Sequence, residues 1–216
     1  MEGKIYLKEK SVIILLALIF SVGVIGHTIS YTREIMLILT PFTLVLTSAT
    51  VFLSFFNRVN KNFYYWFSLT LLVTFLLEAI GVKTGLIFGN YSYGNVLGPK
   101  LLSVPLLIGV NWALIILGAT IIAASITKNK IILPSLAGFL AVTFDFVLEP
   151  VALGLNYWSW EGGNIPIQNY LAWFVIGTLS AILFLLMKVK INDDVPKYYF
   201  LLHFLKYDED CCSWKR

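Results

Sequence analysis

Six apolar runs dominate this chain, at about residues 11–29, 35–56, 63–82, 101–125, 131–153 and 169–187. Each approaches or exceeds the roughly 20 residues that a helix needs to cross a bilayer's hydrocarbon core. Inside lipid a peptide group has no water to bond to, so runs of this length must satisfy their own backbone as helices. The expectation is an all-α integral membrane protein, a bundle of about six transmembrane helices. Residues 1–187 form the spanning domain and residues 188–216 a cytoplasmic tail. Composition agrees: 58% of the residues are hydrophobic and 13% charged, and the mean hydropathy is +0.82, beyond the range of water-soluble domains. The first run follows a basic start, "MEGKIYLKEK", but it is longer than a signal peptide's apolar region and no small-x-small cleavage site follows it. It reads as a retained helix.

Basic residues set the orientation, because loops rich in Lys and Arg stay on the cytoplasmic side. Of the 16 Lys and Arg residues, only Arg33, Lys83 and Lys100 fall in the loops assigned to the outside. Both termini are therefore expected in the cytoplasm, most simply at the plasma membrane of a prokaryote. The formal charge of +4 follows from this topology, and a nucleic-acid partner is not expected because no separate basic surface interleaved with aromatics remains. Cys211 and Cys212 are adjacent in the tail, on the side expected to be reducing, and suit neither a structural disulfide nor a tetrahedral metal site. The tail segment "YYFLLHFLKY" is too short to span and predicts an interfacial helix or a packed cap. His203 within it has a structural role.

Two longer outer loops carry most of the Gly, Tyr, Trp and Pro punctuation. "GVKTGLIFGNYSYGNVLGPK" and "GLNYWSWEGGNIPIQNY" predict irregular turns that hold Tyr91, Tyr93, Trp158 and Trp160 over the bundle, or an aromatic belt at the headgroups. Beneath them the apolar runs contain acids. Asp145 and Glu149 in "FDFVLEP" are four residues apart, on one helix face a turn from each other, and Pro150 predicts a kink there. Glu78 lies near the outer end of the third run. Asn111 and Trp112 lie in the fourth, and His27, near the outer end of the first, suits packing. Intramembrane carboxyls are costly and mark function by default.

No paired aspartates with basic partners for a diphosphate, no dinucleotide fingerprint, no P-loop, no iron-binding histidines and no nucleophile elbow occur, so neither a metal nor another cofactor is expected. Acid–base chemistry remains. Three carboxyls crowded in a dry site cannot all carry charge, so one stays protonated beside an ionised neighbour and can protonate an alkene. Rings at Trp112, Trp158, Tyr91 and Tyr93 would stabilise the cation by roughly 0.5–2 kcal/mol each, and water would capture it with help from the ionised partner.

The stretches 78–112 and 145–174, "EAIGVKTGLIFGNYSYGNVLGPKLLSVPLLIGVNW" and "DFVLEPVALGLNYWSWEGGNIPIQNYLAWF", resemble the CruF-type carotenoid biosynthesis family of integral-membrane hydratases. The resemblance implies a bilayer-embedded, elongated carotenoid with an acyclic end as substrate, and a cofactor-free hydration giving a tertiary hydroxyl. It makes association with other carotenoid enzymes an expectation. The candidate catalytic residues, Glu78, Asp145 and Glu149, rest on the physical argument alone. Tyr91, Tyr93, Asn111, Trp112, Trp158, Gln168, Asn169 and Trp173 are the candidates for holding substrate and water.

Two other readings compete. A carotenoid end-group cyclase shares the alkene protonation but traps the cation with an internal double bond. A proton-coupled transporter of a lipid-like molecule would use buried carboxyls as a relay, although the paired broken helices of such proteins are not visible.

Overall fold

The computed structural model describes the backbone of residues 2–213 and the side chains of residues 9–205; the side chains of Cys211 and Cys212 lie outside the described residues. Seven helices follow one another: α1 (Glu2–Thr28), α2 (Ser30–Phe55), α3 (Lys61–Thr84), α4 (Leu107–Ile126), α5 (Ile132–Gly154), α6 (Ile167–Leu186) and α7 (Val195–Ser213). Six of them, α1 to α6, are long and apolar enough to cross a membrane. Many large apolar side chains on their flanks are exposed, among them Ile38, Phe42, Leu53, Phe139 and Phe146, as expected where the surrounding medium is lipid. This is a multi-pass helical membrane protein.

Helix ends are placed by local chemistry. A single extended residue, Ile29, separates α1 from α2, so the residues between the first two apolar runs are helical rather than a loop. The third helix stops at Gly85, whose left-handed backbone (φ 68°) returns its N–H to Gly81 O at 2.8 Å, the usual role of glycine at a helix end. The fourth helix begins at Leu107, six residues later than the apolar run 101–125 predicts. Residues 100–105 instead form a small hairpin, β2 (Lys100–Leu101) against β3 (Val104–Pro105), turned by Leu102 and Ser103 at φ 52° and 67°. Two central residues with positive φ are the mark of a tight hairpin turn. Hydropathy cannot distinguish this apolar hairpin from a first helical turn. The fifth helix continues past Pro150 to Gly154.

The two longer loops, expected on the outside, are more regular than a run of turns. Their centres pair as an antiparallel ribbon, β1 (Tyr91–Tyr93) with β4 (Trp158–Trp160), in the register Tyr91↔Trp160, Ser92↔Ser159, Tyr93↔Trp158. This ribbon closes one end of the bundle. At the far end Arg58 bonds Glu9 Oε1 of α1 at 2.6 Å and Asp193 Oδ2, just before α7, at 2.8 Å, tying three parts of the chain together.

From that far end α7 turns back into the bundle, packing against α1, α4 and α5. Val195, Tyr199, Phe200 and His203 are buried; Tyr199 donates to Asn111 Oδ1 of α4 at 3.0 Å, and the His203 ring meets Phe20 of α1 at a tilt and Phe144 of α5 edge-on. A side chain at Gly118 would collide with Pro196 O and Phe200, so glycine there lets α7 approach α4. One face of residues 195–205 is thus packed into the bundle, running toward the ribbon, as the packed-cap alternative has it. Length argues against a span, but a helix needs no full span when its apolar face is covered by three neighbours.

A buried carboxylate chamber under an aromatic ribbon

The two strands of the ribbon read Tyr-Ser-Tyr and Trp-Ser-Trp. Side chains alternate faces along a strand, so all four aromatic rings point one way and both serines the other, with Ser92 Oγ and Ser159 Oγ 3.3 Å apart on the exposed face. The aromatic face looks into the bundle. Tyr91 and Tyr93 both donate their hydroxyls to Glu78 Oε2 of α3, the latter at 2.8 Å. Trp158 and Trp160 both donate their indole N–H to Glu149 Oε2 of α5, at 3.0 and 2.9 Å. Each carboxyl thus receives a pair of donors from one strand.

Asp145, one turn before Glu149, is met from α6. Asn169 Nδ2 lies 2.5 Å from Asp145 Oδ2 and 3.5 Å from Glu149 Oε1, bridging the two acids. Glu78, Asp145, Glu149 and Asn169 are all at most 3% exposed. Burying three carboxyls is tolerable only because each is hydrogen-bonded. Burial and the neighbouring Glu78 carboxyl push the phenol of Tyr91 well above its usual range, and the same causes act on Tyr93, so both remain O–H donors at neutral pH.

The chamber's floor is aromatic. Trp112 of α4 and Trp173 of α6 stack with ring centroids 3.5 Å apart and planes inclined by 18°, and Phe88 stacks on Trp173 at 5.1 Å. Phe88 owes its place to Gly81: a Cβ there would meet the Phe88 ring at 2.6 Å. The three acids, Asn169 and seven aromatic side chains line a cavity of about 20 Å³, room for roughly one water molecule. Among the described residues, no group of three or more His, Cys, Asp or Glu side chains is arranged to hold a metal ion.

The candidates named from sequence separate into two groups. Glu78, Tyr91, Tyr93, Trp112, Asp145, Glu149, Trp158, Asn169 and Trp173 line one chamber. Asn111 and Gln168 do not line it. The first is committed to Tyr199 and faces a neighbouring cavity; the second is exposed, its amide donating to Leu86 O. His27 bonds Gly23 O at 2.7 Å within its own helix, which is a packing role. Phe88 and Trp160 complete the chamber without having been among the substrate-holding candidates; for Trp160 the signal was its two-residue offset from Trp158, which places both on one strand face.

A family model described as carotenoid biosynthesis protein matches residues 39–205, from α2 to α7 with every chamber residue inside. The chain belongs to the carotenoid biosynthesis protein family. It is 32% identical over 123 residues to a bisanhydrobacterioruberin hydratase of Haloarcula japonica, an alignment covering 52% of this chain and 41% of that protein. The alignment therefore leaves more than half of this relative's length uncovered. No solved structure matches the chain.

Proposed function

We propose that this protein is a carotenoid hydratase, adding water across the terminal double bond of an acyclic carotenoid end group without a cofactor. The observation that carries the reading is the convergence of three buried carboxyls and a stacked Trp112–Trp173 pair on one small chamber, in a chain similar to a hydratase.

In this mechanism a carboxylic acid donates its proton to the inner, hydrogen-bearing carbon of the terminal double bond, leaving a tertiary cation on the outer carbon, which bears the two methyl groups. The oxygen of water bonds to that carbon and gives its extra proton to a carboxylate. The product is a tertiary alcohol, and one C=C bond and one water have been consumed. Glu78 and Glu149 each accept two hydrogen bonds on one oxygen, an arrangement that satisfies negative charge. Asp145 accepts one, from Asn169. Asp145 is accordingly the proposed acid and Glu149, bridged to it through Asn169, the proposed base. The faces of Trp112 and Trp173 hold the cation, each contact contributing roughly 0.5–2 kcal/mol, and Asn169 helps to place the water. Tyr91, Tyr93 and Trp158 position the carboxyls from above.

The basic residues Lys4, Lys8, Lys10, Arg58, Lys61, Lys128 and Lys130 lie at the end of the bundle opposite the ribbon or in the segment leading to it. They support an orientation with the amino end in the cytoplasm and the ribbon outside, in the plasma membrane of a prokaryote.

The test is the pigment profile of a host making an acyclic carotenoid, with and without this protein. A product heavier by one water supports the hydratase. An unchanged mass with a new ring means a cyclase, and an unchanged profile removes the enzymatic reading.

A further inference from the structure

The chamber itself is far too small for a carotenoid end, so a substrate must reach it through space that continues it. Two further cavities do so. One, of about 20 Å³, is lined by Leu44, Asn111, Tyr157 and, on the chamber side, by Trp112 and Trp158, both of which also line the chamber. Beyond it lies a groove of about 270 Å³ between α1 and α2, bordered by Phe20, Met36, Leu39 and Thr43 and, at the junction, by the same Leu44 and Tyr157. Shared walls make a single series: groove, inner cavity, chamber. The groove's wall is mostly apolar, with His27, Thr40 and Thr43 as its polar side chains, and Leu18, Val22 and Leu39 along it are exposed on the flank that faces lipid.

We infer that the α1–α2 groove is the binding site for the polyene chain of the substrate, which enters sideways from the bilayer with its acyclic end leading past Leu44 and Tyr157 to the chamber. The occupant follows from continuity with the chamber and from the hydratase reading: an elongated hydrocarbon matches an apolar slot open to lipid whose inner end leads to the carboxyl groups. Trp112 and Trp158 form the partition that must shift for the end group to pass. A second apolar depression, of about 310 Å³ between α2, α3 and α4, touches the inner cavity only through Leu107 and lacks the shared Tyr157 wall.

This inference rests on the hydratase reading, and two separate readouts distinguish their failures. In vesicles containing the full chain with Cys211 and Cys212 changed to Ser, Leu39→Cys is labelled with an apolar maleimide in the presence and absence of an acyclic C40 carotenoid. Hydration of the same carotenoid is followed by product mass. Protection of Leu39→Cys by the carotenoid is expected, lost on adding Leu44→Trp, which blocks the junction; the latter also raises KM at least tenfold with kcat little changed. Thr43→Trp, at a half-buried groove position, reads the same if Leu44→Trp does not accumulate. Ala49→Trp, in the second depression, leaves labelling and hydration unchanged. Protection without any hydration supports the polyene site and overturns the hydratase. Hydration without protection, or loss of hydration in Ala49→Trp but not in the groove variants, overturns the groove.

Discussion

Tyr93 and Trp158 face each other directly across the ribbon, yet their polar atoms go to different carboxyls, Tyr93 to Glu78 on α3 and Trp158 to Glu149 on α5. One cross-strand pair thereby connects two helices that carry the acids. The rings themselves are in edge contact, with centroids 5.9 Å apart.

The first prediction concerns the acids. Asp145→Asn and Glu149→Gln keep size and hydrogen bonding but remove the titratable group. Each is expected to lower hydration by roughly 10²–10⁴-fold, the usual cost of losing a general acid or base, with membrane accumulation unchanged. Glu78→Gln tests whether α3 supplies part of the machinery. Near wild-type hydration in all three variants would leave the carboxyls with a structural role only.

Tyr93→Phe keeps the ring and removes one donor to Glu78. A hydrogen bond to a charged group is worth about 1.5–3 kcal/mol, so the detergent-solubilised variant is expected to unfold at a clearly lower temperature. Trp158→Phe should behave alike through Glu149. Unaltered unfolding in both would mean that the ribbon does not secure the acids.

Alkaline pH probes the same contacts. The phenols of Tyr91 and Tyr93 are held well above the ordinary value of 10.0. Above pH 10 the unfolded chain therefore releases protons that the folded one keeps, and stability falls as pH rises, by up to about 1.4 kcal/mol per pH unit for each phenol. Below pH 10 neither state releases them and this contribution is flat. The double variant Tyr91→Phe/Tyr93→Phe should show a shallower decline between pH 10 and 11.5 in equilibrium unfolding; an equal slope would refute the linkage.

Close packing of α5 on α6 gives a steric prediction. A Cβ at Gly138 would lie 2.2 Å from Thr178 Oγ1 and 2.6 Å from Phe174 O. Small residues let membrane helices approach in this way. Gly138→Leu is expected to separate the helices that carry Asp145 and Asn169, lowering both thermal stability and activity, whereas Gly162→Ala meets no atom within 4 Å and leaves only the strain of its φ of 74°.

Orientation is checked by cysteine labelling on a Cys211→Ser/Cys212→Ser background. A polar maleimide applied to intact cells should label Asn95→Cys, near the ribbon, and spare Lys128→Cys. The reverse pattern would invert the proposed topology.

Much of this arrangement is legible in the chain itself, because lipid imposes one rule on every peptide group and leaves long apolar helices as its answer. Asp145 and Glu149 stand out for the same reason: an acid in such a run is conspicuous. The ribbon is harder to see. Each strand is three residues long, too short for alternation to rise above the surrounding Gly and Asn, and the pairing joins positions 67 apart. The entry of α7 was hidden differently. Hydropathy measures fitness for lipid, whereas Tyr199 and His203 are buried against protein, where a phenol can bond Asn111. Gln168 and Asn169, adjacent and chemically alike, show the remaining limit: helical phase alone decides that one meets Asp145 while the other faces out.

The Tyr-Ser-Tyr and Trp-Ser-Trp strands also constrain how this region can change in length. Because side chains alternate with a period of two, a single residue inserted within either strand would turn the aromatics beyond it toward the exposed face, taking their hydroxyl or indole donors away from Glu78 or Glu149. An insertion of two would restore the parity. Changes of length within these two strands are therefore confined to even steps, whereas the loops that flank them carry no such parity.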